Sequence, residues 1–275
     1  MANYTTADIK ELREKTGAGM MDVKKALDEA AGDKAKAVEI LRVKGLQGAA
    51  KREGRSTSDG VVLAHVENGV GTMIEFNSET DFVAKSDTFS KLAEQVLDLA
   101  VANNADNAET LLNTEIDGKP VSQIITEGGA SLGEKVDLRR VGRIEAPSIA
   151  QYMHRTNKDL PPQVGVLFAY EGGDDQVAHD VAVHIAAMSP KYFSREDVPA
   201  EIVEKEREVA LETAKNEGKP ERAIPNIVEG RVNAFFKDNC LLDQGFAKEP
   251  KTPVSAVLKE AGIDAKGFLR FRVGV

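Results

Sequence analysis

The sequence predicts an α+β protein with a three-helix N-terminal module, a two-subdomain core with antiparallel sheets flanked by helices, and an inserted antiparallel helical hairpin. Three observations lead to this prediction. Apolar residues recur at helical spacing in three short stretches before residue 54. The pair Asn68-Gly69 separates two alternating stretches, which is a strong signal of a β-hairpin. Residues 190–239 are densely charged and form two helical stretches around a Gly-Pro turn.

The N-terminal module is predicted to contain three short helices. Gly17 is expected to end the first helix, because glycine accepts the left-handed backbone of a helix C-terminus. The second helix is expected over residues 20–31, and Asp33 can cap the third. The small polar residues 54–60 then resemble a linker. The apolar residues expected to face the centre of the module are Ile9, Leu12, Val23, Ala26, Leu27, Ala37, Ile40 and Leu41.

The register of the first hairpin follows from its turn. Both residues of Asn68-Gly69 tolerate positive φ, as a type I′ turn requires. One face is more apolar and is expected to be the core side, because a one-residue slip would reverse both faces. The predicted cross-strand pairs on that face are Val61 with Phe76, Leu63 with Ile74 and His65 with Thr72. Those on the other face are Val62 with Glu75 and Ala64 with Met73.

Ser86 is expected to cap a helix that follows the hairpin. Residues 103–133 show no clear pattern, whereas residues 136–146, 151–155 and 164–170 resemble strands. A second helix is expected over residues 174–188. The apolar stripe of the first helix is predicted to hold Phe89, Leu92, Ala93, Val96, Leu97 and Ala100. The stripe of the second is predicted to hold Val177, Val181, Ile185 and Met188.

The charged region near the C-terminal end is predicted to be a helical hairpin with a narrow apolar seam. The residues expected along that seam are Ile202, Val209, Leu211, Ile227, Val228, Val232 and Phe235. Alternating apolar residues and arginines in residues 267–275 indicate a last strand. The predicted units are the module (1–54), the N-subdomain of the core (55–147), the C-subdomain (148–189 and 240–275) and the helical hairpin (190–239).

Composition and charge argue against several classes of protein. The 275-residue chain carries a net charge of −9, which disfavours non-specific nucleic-acid binding. Residues 1–55 contain 12 Lys/Arg and 9 Asp/Glu, a net +3, so the remainder carries −12. The basic end can be attracted to an acidic protein surface. No apolar stretch is long enough to cross a bilayer and the N-terminus has no signal-peptide core, so we expect a cytoplasmic protein.

Signatures of catalysis are largely missing from the sequence. It contains no phosphate loop, no nucleophile elbow and no zinc-protease motif. The Gly-rich residues 16–22 favour a turn between helices, because no strand precedes them. His179 and His184 are five residues apart and do not share a helix face, so core or solvent positions are favoured for them and for His65. The role of His154 stays open, and we expect neither cofactor nor metal.

Two sets of apolar residues allow two interpretations each. One of Met20 and Met21 can fill the core of the module, although the other, at the turn, cannot easily do so too. Alternatively, exposed methionines beside Arg13 and Lys24 can form a flexible contact surface. Phe82 lies seven residues before Phe89, so a continuous helix would bury both rings, and local sequence favours burial. Against this, a cap at Ser86 would separate Phe82 from that helix and leave its ring free for a partner.

Several stretches resemble one family, bacterial elongation factor Ts, and their order agrees over almost the whole chain. The most specific are IKELREKTGAGMMDVKKAL (residues 9–27) and TDFVAK (residues 80–85) in combination. The supporting stretches are HIAAMSP (184–190), VEKE (203–206) and VEGR (228–231). Members of the family are exchange factors without covalent chemistry of their own, and their partner is elongation factor Tu, the GTPase that delivers aminoacyl-tRNA to the ribosome.

The resemblance implies a UBA-like N-terminal module and specific partner contacts. The residues implied to push into the G domain of Tu and disturb its Mg²⁺ site are Thr80, Asp81, Phe82 and Val83. The residues implied to contact the same domain are Arg13, Met20, Met21 and Lys24. His154 falls in the part of the core that faces the partner, and the exposed helical hairpin makes a homodimer possible in principle.

The chain departs from the family pattern in two places. Members often continue beyond the last strand into a helical extension, whereas this sequence ends at Val275. Ala247 and Lys248 occupy positions where related chains carry apolar residues that face the partner. We therefore expect the contacts made by these two regions to be absent, weakened or rearranged.

Overall fold

The structure is a computed structural model that describes residues 3–16 and 18–275, apart from the side chain of Leu46. Gly17, the expected end of the first helix, lies outside the described residues. Helices combine with antiparallel strand pairs, so the predicted α+β class is confirmed.

Three helices form the N-terminal module: α1 (Thr6–Thr16), α2 (Met20–Glu29) and α3 (Lys34–Arg52). Asp33 caps α3 as predicted, because its carboxylate accepts a hydrogen bond from the Lys36 amide at 3.1 Å. Six of the eight predicted inward-facing residues are buried, and Ile9 and Ile40 lie partly buried at the edge of the same cluster.

The first hairpin consists of β1 (Asp59–Glu67) and β2 (Val70–Ser78), and every predicted cross-strand pair is confirmed. Asn68 and Gly69 have φ values of 51° and 76°, as the predicted turn requires. The predicted core face packs against the following helix, where the Phe76 and Phe89 rings lie 5.2 Å apart. The opposite face is also buried, because Val62 and Met73 pack against the second sheet.

After β2 come the one-turn helix α4 (Asp81–Ala84) and the longer α5 (Asp87–Ala102). Ser86 caps α5 by accepting from the Phe89 amide at 3.2 Å, and all six residues of the predicted stripe are buried. The region left unassigned from the sequence contains α6 (Ala108–Asn113), β3 (Glu115–Ile116), β4 (Lys119–Pro120) and α7 (Val121–Leu132). Strand β5 (Val136–Glu145) then pairs with β2 and completes the first sheet.

The second half of the core begins with β6 (Ser148–His154), β7 (Val164–Glu171) and α8 (Asp175–Met188). Val181 and Ile185 are buried on α8 as predicted, and Val177 is partly buried. Met188 does not belong to the buried stripe, since 49% of it is exposed at the last position of the helix. Ala178 and Ala182 complete the stripe instead, and their small side chains allow α8 to lie close to the sheet.

The predicted helical hairpin is formed by α9 (Ala200–Asn216) and α10 (Ile224–Asn239). The prediction of its seam is wrong at Val209, which is 52% exposed, and at Leu211, which is also exposed. Ala210 and Ala214 are buried in their place. Two alanines bring the helices close together, so the charged sequence needs few large apolar residues to hold the pair.

The chain then forms β8 (Gly245–Phe246), β9 (Glu249–Pro253), α11 (Val254–Glu260) and β10 (Asp264–Arg272). Strand β10 pairs with β7, so the second sheet has the order β10-β7-β6 and the predicted last strand is confirmed. Cys240, just after α10, is buried, and burial raises the pKa of its thiol to about 11.

Separate clusters of buried apolar side chains lie inside the module, against each sheet and between α9 and α10, and a further cluster joins the two sheets. The predicted division of the chain into four units stays a proposal.

Candidate functional site

Phe82 is the most exposed large apolar residue among the side chains that the structure describes, with 81% of its surface accessible. The interpretation that it packs in the core is therefore wrong. Ser86 begins a new helix, so Phe82 does not continue the stripe that contains Phe89. An aromatic ring in this position leaves a large apolar area in water, which is typical of a contact surface.

The segment that carries Phe82 is anchored on both sides of the ring. Ala84 is fully buried, and Val83 packs partly against the core cluster of the first sheet. The Ser86 hydroxyl donates to the Val83 carbonyl at 2.8 Å. The ring therefore projects from a short helix in which Val83 and Ala84 face the protein.

Thr80 begins this short helix and makes the contacts that fix its start. Its hydroxyl oxygen accepts from the Val83 amide at 3.4 Å, which is a long capping bond. Its own hydroxyl donates to Glu134 Oε1 at 2.6 Å, and its amide donates to Glu134 Oε2 at 3.0 Å. Its carbonyl accepts from the Ser78 hydroxyl at 2.9 Å.

Asp81 and Lys85 place charge beside the exposed ring. Lys85 Nζ donates to Asp81 Oδ2 at 2.7 Å and lies 5.9 Å from the centre of the Phe82 ring. This hydrogen bond lowers the pKa of Asp81 and raises the pKa of Lys85, so it favours the charged form of each group. Burial, together with the carboxylates of Asp81 and Glu134, raises the pKa of nearby Asp59.

A second exposed apolar surface lies at the start of α2. Met20 and Met21 are 58% and 63% exposed, whereas Val23 on the same helix is fully buried. The interpretation that one of these methionines fills the core of the module is therefore wrong. Arg13 on α1 and Lys24 on α2 are exposed as well. Flexible methionines combined with basic side chains are suited to an adaptable protein contact.

A cleft of about 880 Å³ separates this module from the core. Gly19 and Asp22, on either side of the two methionines, line one wall, and Thr88 in the first turn of α5 lines another part. An ion pair between Arg42 of α3 and Glu127 of α7, 2.6 Å long, connects the walls. The cleft thus extends from the residues around Met20 and Met21 towards the element that follows Phe82.

His154 is exposed at the end of β6, where its Nδ1 lies 3.1 Å from the Tyr152 hydroxyl. The structure shows no hydrogen bond between His154 and residues 80–83 within the described chain. In the loop that follows, the Asp159 carboxylate contributes to raising the pKa of Lys85. His154 stays a candidate by position, while His184 is buried and His65 and His179 are exposed.

The two residues that depart from the family pattern are exposed at the turn between β8 and β9. The Ala247 amide donates to Nδ1 of buried His184 at 3.1 Å, and Lys248 forms an ion pair with Asp180. These local contacts give the turn a fixed conformation, and its effect on partner binding stays a prediction.

Two residues of the site were not predicted from the sequence. Lys85 could have been found, since it follows Asp81 by four residues, the spacing of a helical ion pair. Glu134 could not, because its contact with Thr80 joins residues 54 positions apart. No periodicity or local motif predicts a contact of that kind.

In residues 3–16 and 18–275, no three or more His, Cys, Asp or Glu side chains are grouped as a metal site would require. Several carboxylates with a lowered pKa lie in ion pairs, as Asp180 does with Lys248 and Glu217 with Arg231. No helix within the described ranges has both the length and the apolar character needed to span a membrane.

Comparisons with known proteins give a consistent result. The family model described as Elongation factor TS matches residues 79–275. Proteins named Elongation factor Ts from Paenarthrobacter aurescens and Kocuria rhizophila are 62% and 63% identical to the chain. The protein of that name from Kineococcus radiotolerans is 54% identical, and each of the three alignments covers 100% of both chains.

Proposed function

The chain belongs to the elongation factor Ts family, and from this premise we propose that it promotes release of GDP from the GTPase elongation factor Tu so that GTP can rebind. The observation that carries the proposal is the 81% exposure of Phe82 on an anchored segment. Such a ring can enter an apolar gap in a partner without any unfolding of its own chain.

Exchange requires differential binding and no covalent chemistry. In a GTPase, backbone amides, a lysine and Mg²⁺ hold the phosphates of the nucleotide. A protein that binds the nucleotide-free GTPase more tightly than the nucleotide-bound GTPase must weaken nucleotide binding by the same ratio, because linkage is reciprocal. Insertion of Phe82 next to the Mg²⁺ and phosphate sites would supply this difference, and incoming nucleotide would then displace the factor.

We assign different roles to the residues around the ring. Burial of the Phe82 side chain in the partner would contribute about 1.5–3 kcal/mol. Asp81, whose carboxylate accepts from Lys85, would present a negative group beside the Mg²⁺ site. Thr80 and Val83 would hold the segment in place, because one caps it and the other packs against the core.

The second surface would supply affinity. Met20, Met21, Arg13 and Lys24 present apolar and basic atoms on one module, at a distance along the chain from Phe82. Two separate contacts on one rigid partner bind more tightly than either alone, because the second contact forms within the complex. His154 is proposed as a further contact on the core side.

The experiment that tests the proposal replaces Phe82 by alanine. We expect Phe82→Ala to slow release of a fluorescent GDP analogue from elongation factor Tu about tenfold to a hundredfold, which corresponds to the loss of about 1.5–3 kcal/mol. Its melting temperature should stay near that of the unmodified chain, because the ring makes few contacts in the free protein. An unchanged release rate would contradict the proposal.

Two matched variants complete this experiment. Phe89→Ala removes a buried ring, so it should cost about 3–5 kcal/mol of stability. Met188→Ala shortens a half-exposed apolar side chain on α8 and should change neither stability nor exchange. A scaffold that binds elongation factor Tu without exchanging its nucleotide would form a complex insensitive to excess GDP on a sizing column. The proposed exchange factor is expected to be displaced.

A further inference from the structure

We propose that Glu134 is a positioning residue that holds Phe82 in the orientation needed for insertion into the partner. This inference rests on the proposed function and adds a residue to it. Glu134 lies in the turn between α7 and β5, which no feature of the sequence connects with residues 80–83. Its carboxylate is partly buried and reaches the start of the short helix that carries the ring.

The contact uses both oxygens of the carboxylate. Oε1 accepts from the Thr80 hydroxyl at 2.6 Å, and Oε2 accepts from the Thr80 amide at 3.0 Å. Hydrogen bonds to an ionised acceptor are shorter and stronger than those between neutral groups. Since the hydroxyl donates its only proton to Glu134, its lone pairs are free to accept from the Val83 amide. Glu134 therefore sets the direction of the cap of α4.

The turn that carries Glu134 is itself fixed by two glycines. Gly133 ends α7 with a φ of 78°, a backbone conformation that other residues adopt only with strain. At Gly129 a side chain would come within 3.0 Å of the Glu134 carbonyl oxygen and within 2.9 Å of a Val136 methyl group. Only glycine lets the turn lie this close to α7, so Glu134 is held on a rigid support.

Glu134 supplies its two acceptor oxygens in surroundings that already hold other carboxylates. Asp59 and Asp81 lie near enough to interact with one another, and Glu134 also interacts with Asp59. A glutamine would reduce this repulsion, but its amide nitrogen cannot accept a hydrogen bond. In place of Glu134 it would leave either the amide or the hydroxyl of Thr80 without its acceptor.

A ring that must push between elements of a partner needs such support. Without Glu134, the first turn of α4 would lose two of the bonds that restrict its backbone, and Phe82 would sample other orientations. The segment would then have to become ordered during binding. The entropy cost of this ordering would make the inserted state less favourable and slow the release of GDP. The loss should appear in the rate at saturating exchange factor, since that rate reports the inserted state.

The test measures release of a fluorescent GDP analogue from elongation factor Tu over a range of exchange-factor concentrations. We expect Glu134→Gln and Thr80→Val each to lower the saturating rate about tenfold, as loss of a hydrogen bond to a charged group implies. Thr80→Ser keeps the hydroxyl and should stay within about twofold of the unmodified chain. Asp243→Asn is the matched control, because it removes the charge of a carboxylate bonded to Arg195 at 2.7 Å, far along the chain from Phe82. It should leave exchange unchanged.

Positioning is separated from a general effect on folding by repeating the substitutions in a chain that carries Phe82→Ala. If Glu134 acts through the ring, Glu134→Gln does not lower the saturating rate further in the chain that carries Phe82→Ala. An equal decrease with and without the ring, or an unchanged saturating rate in Glu134→Gln and Thr80→Val, would overturn the inference. If Phe82→Ala alone leaves release unchanged, the proposed function fails instead, so the two failures are distinguishable.

Discussion

Arg140 and Glu75 form an ion pair in which the carboxylate is fully buried and Arg140 Nε donates at 2.6 Å. The same carboxylate accepts from the Gly274 amide at 3.1 Å, while Arg140 donates to the Arg272 carbonyl at 2.9 Å. The Arg140 guanidinium also lies 4.7 Å from the centre of the Phe271 ring. The ion pair on the first sheet thus holds the end of β10, the last strand of the second sheet.

Removal of one member of this pair should destabilise the protein strongly. We expect Arg140→Met to lower the free energy of unfolding by about 3–5 kcal/mol, because it leaves the fully buried Glu75 carboxylate without its charged partner. Glu75→Gln should cost less, because the Arg140 side chain is 36% exposed and stays partly hydrated. Urea denaturation followed by circular dichroism measures this loss. The double variant should lose less free energy of unfolding than the two single variants lose together. Single losses below about 1 kcal/mol would show that the pair is not what holds the sheets together.

His184 should make stability depend on pH. Burial lowers its pKa below the ordinary value of 6.5, although its bond to Gln244 acts in the opposite sense. Its Nδ1 accepts from the Ala247 amide at 3.1 Å, so protonation would break that bond. The unfolded chain therefore binds a proton more readily than the folded one below pH 6.5, and the free energy of unfolding should fall as pH decreases through that region.

Melting temperatures between about pH 7.5 and 5 check this dependence. At neutral pH, His184→Gln should melt at a lower temperature than the unmodified chain. On acidification, its melting temperature should fall by less than that of the unmodified chain. His65→Gln, which replaces an exposed histidine on β1, should keep the full decrease. Equal slopes for the His184 variant and the unmodified chain would refute the assignment.

Met20 and Met21 are expected to govern affinity rather than the saturating rate. We expect the double change Met20→Gln with Met21→Gln to raise the half-saturating concentration in the nucleotide-release assay about tenfold, as loss of roughly 1.4 kcal/mol of contact energy implies. The saturating rate and the melting temperature should stay near those of the unmodified chain. Val43→Gln replaces another half-exposed apolar residue of the module and serves as the control. A fall in the saturating rate alone would count against a separate affinity surface.

Local chemistry explains which parts of the fold could be predicted. The turn at Asn68-Gly69 determines the register of β1 and β2, and the cap at Ser86 determines where α5 starts. Both signals act over a few residues. Residues 103–133 could not be assigned, because α6 and the two-residue strands are too short to show a period and Gly128-Gly129 interrupts the helical pattern of α7.

Errors arose where packing between distant elements decides burial. Val209 and Ala210 are both apolar neighbours on α9, and only the position of α10 determines which one faces the seam. Phe82 shows the same limit for the candidate site. Its spacing from Phe89 favoured burial, and the cap at Ser86 pointed the other way without deciding the outcome. Only the three-dimensional structure shows that the ring is exposed and that Glu134 contacts the start of the helix that carries it.

The chemistry of Cys240 gives a practical way to follow this protein. It is the single cysteine of the chain, it is buried, and its pKa of about 11 leaves roughly one thiol in ten thousand ionised at neutral pH. Maleimide reagents attack the thiolate, so the native sulfur is nearly inert towards them. A cysteine introduced at an exposed position would therefore take up one dye selectively, with the native thiol left in place.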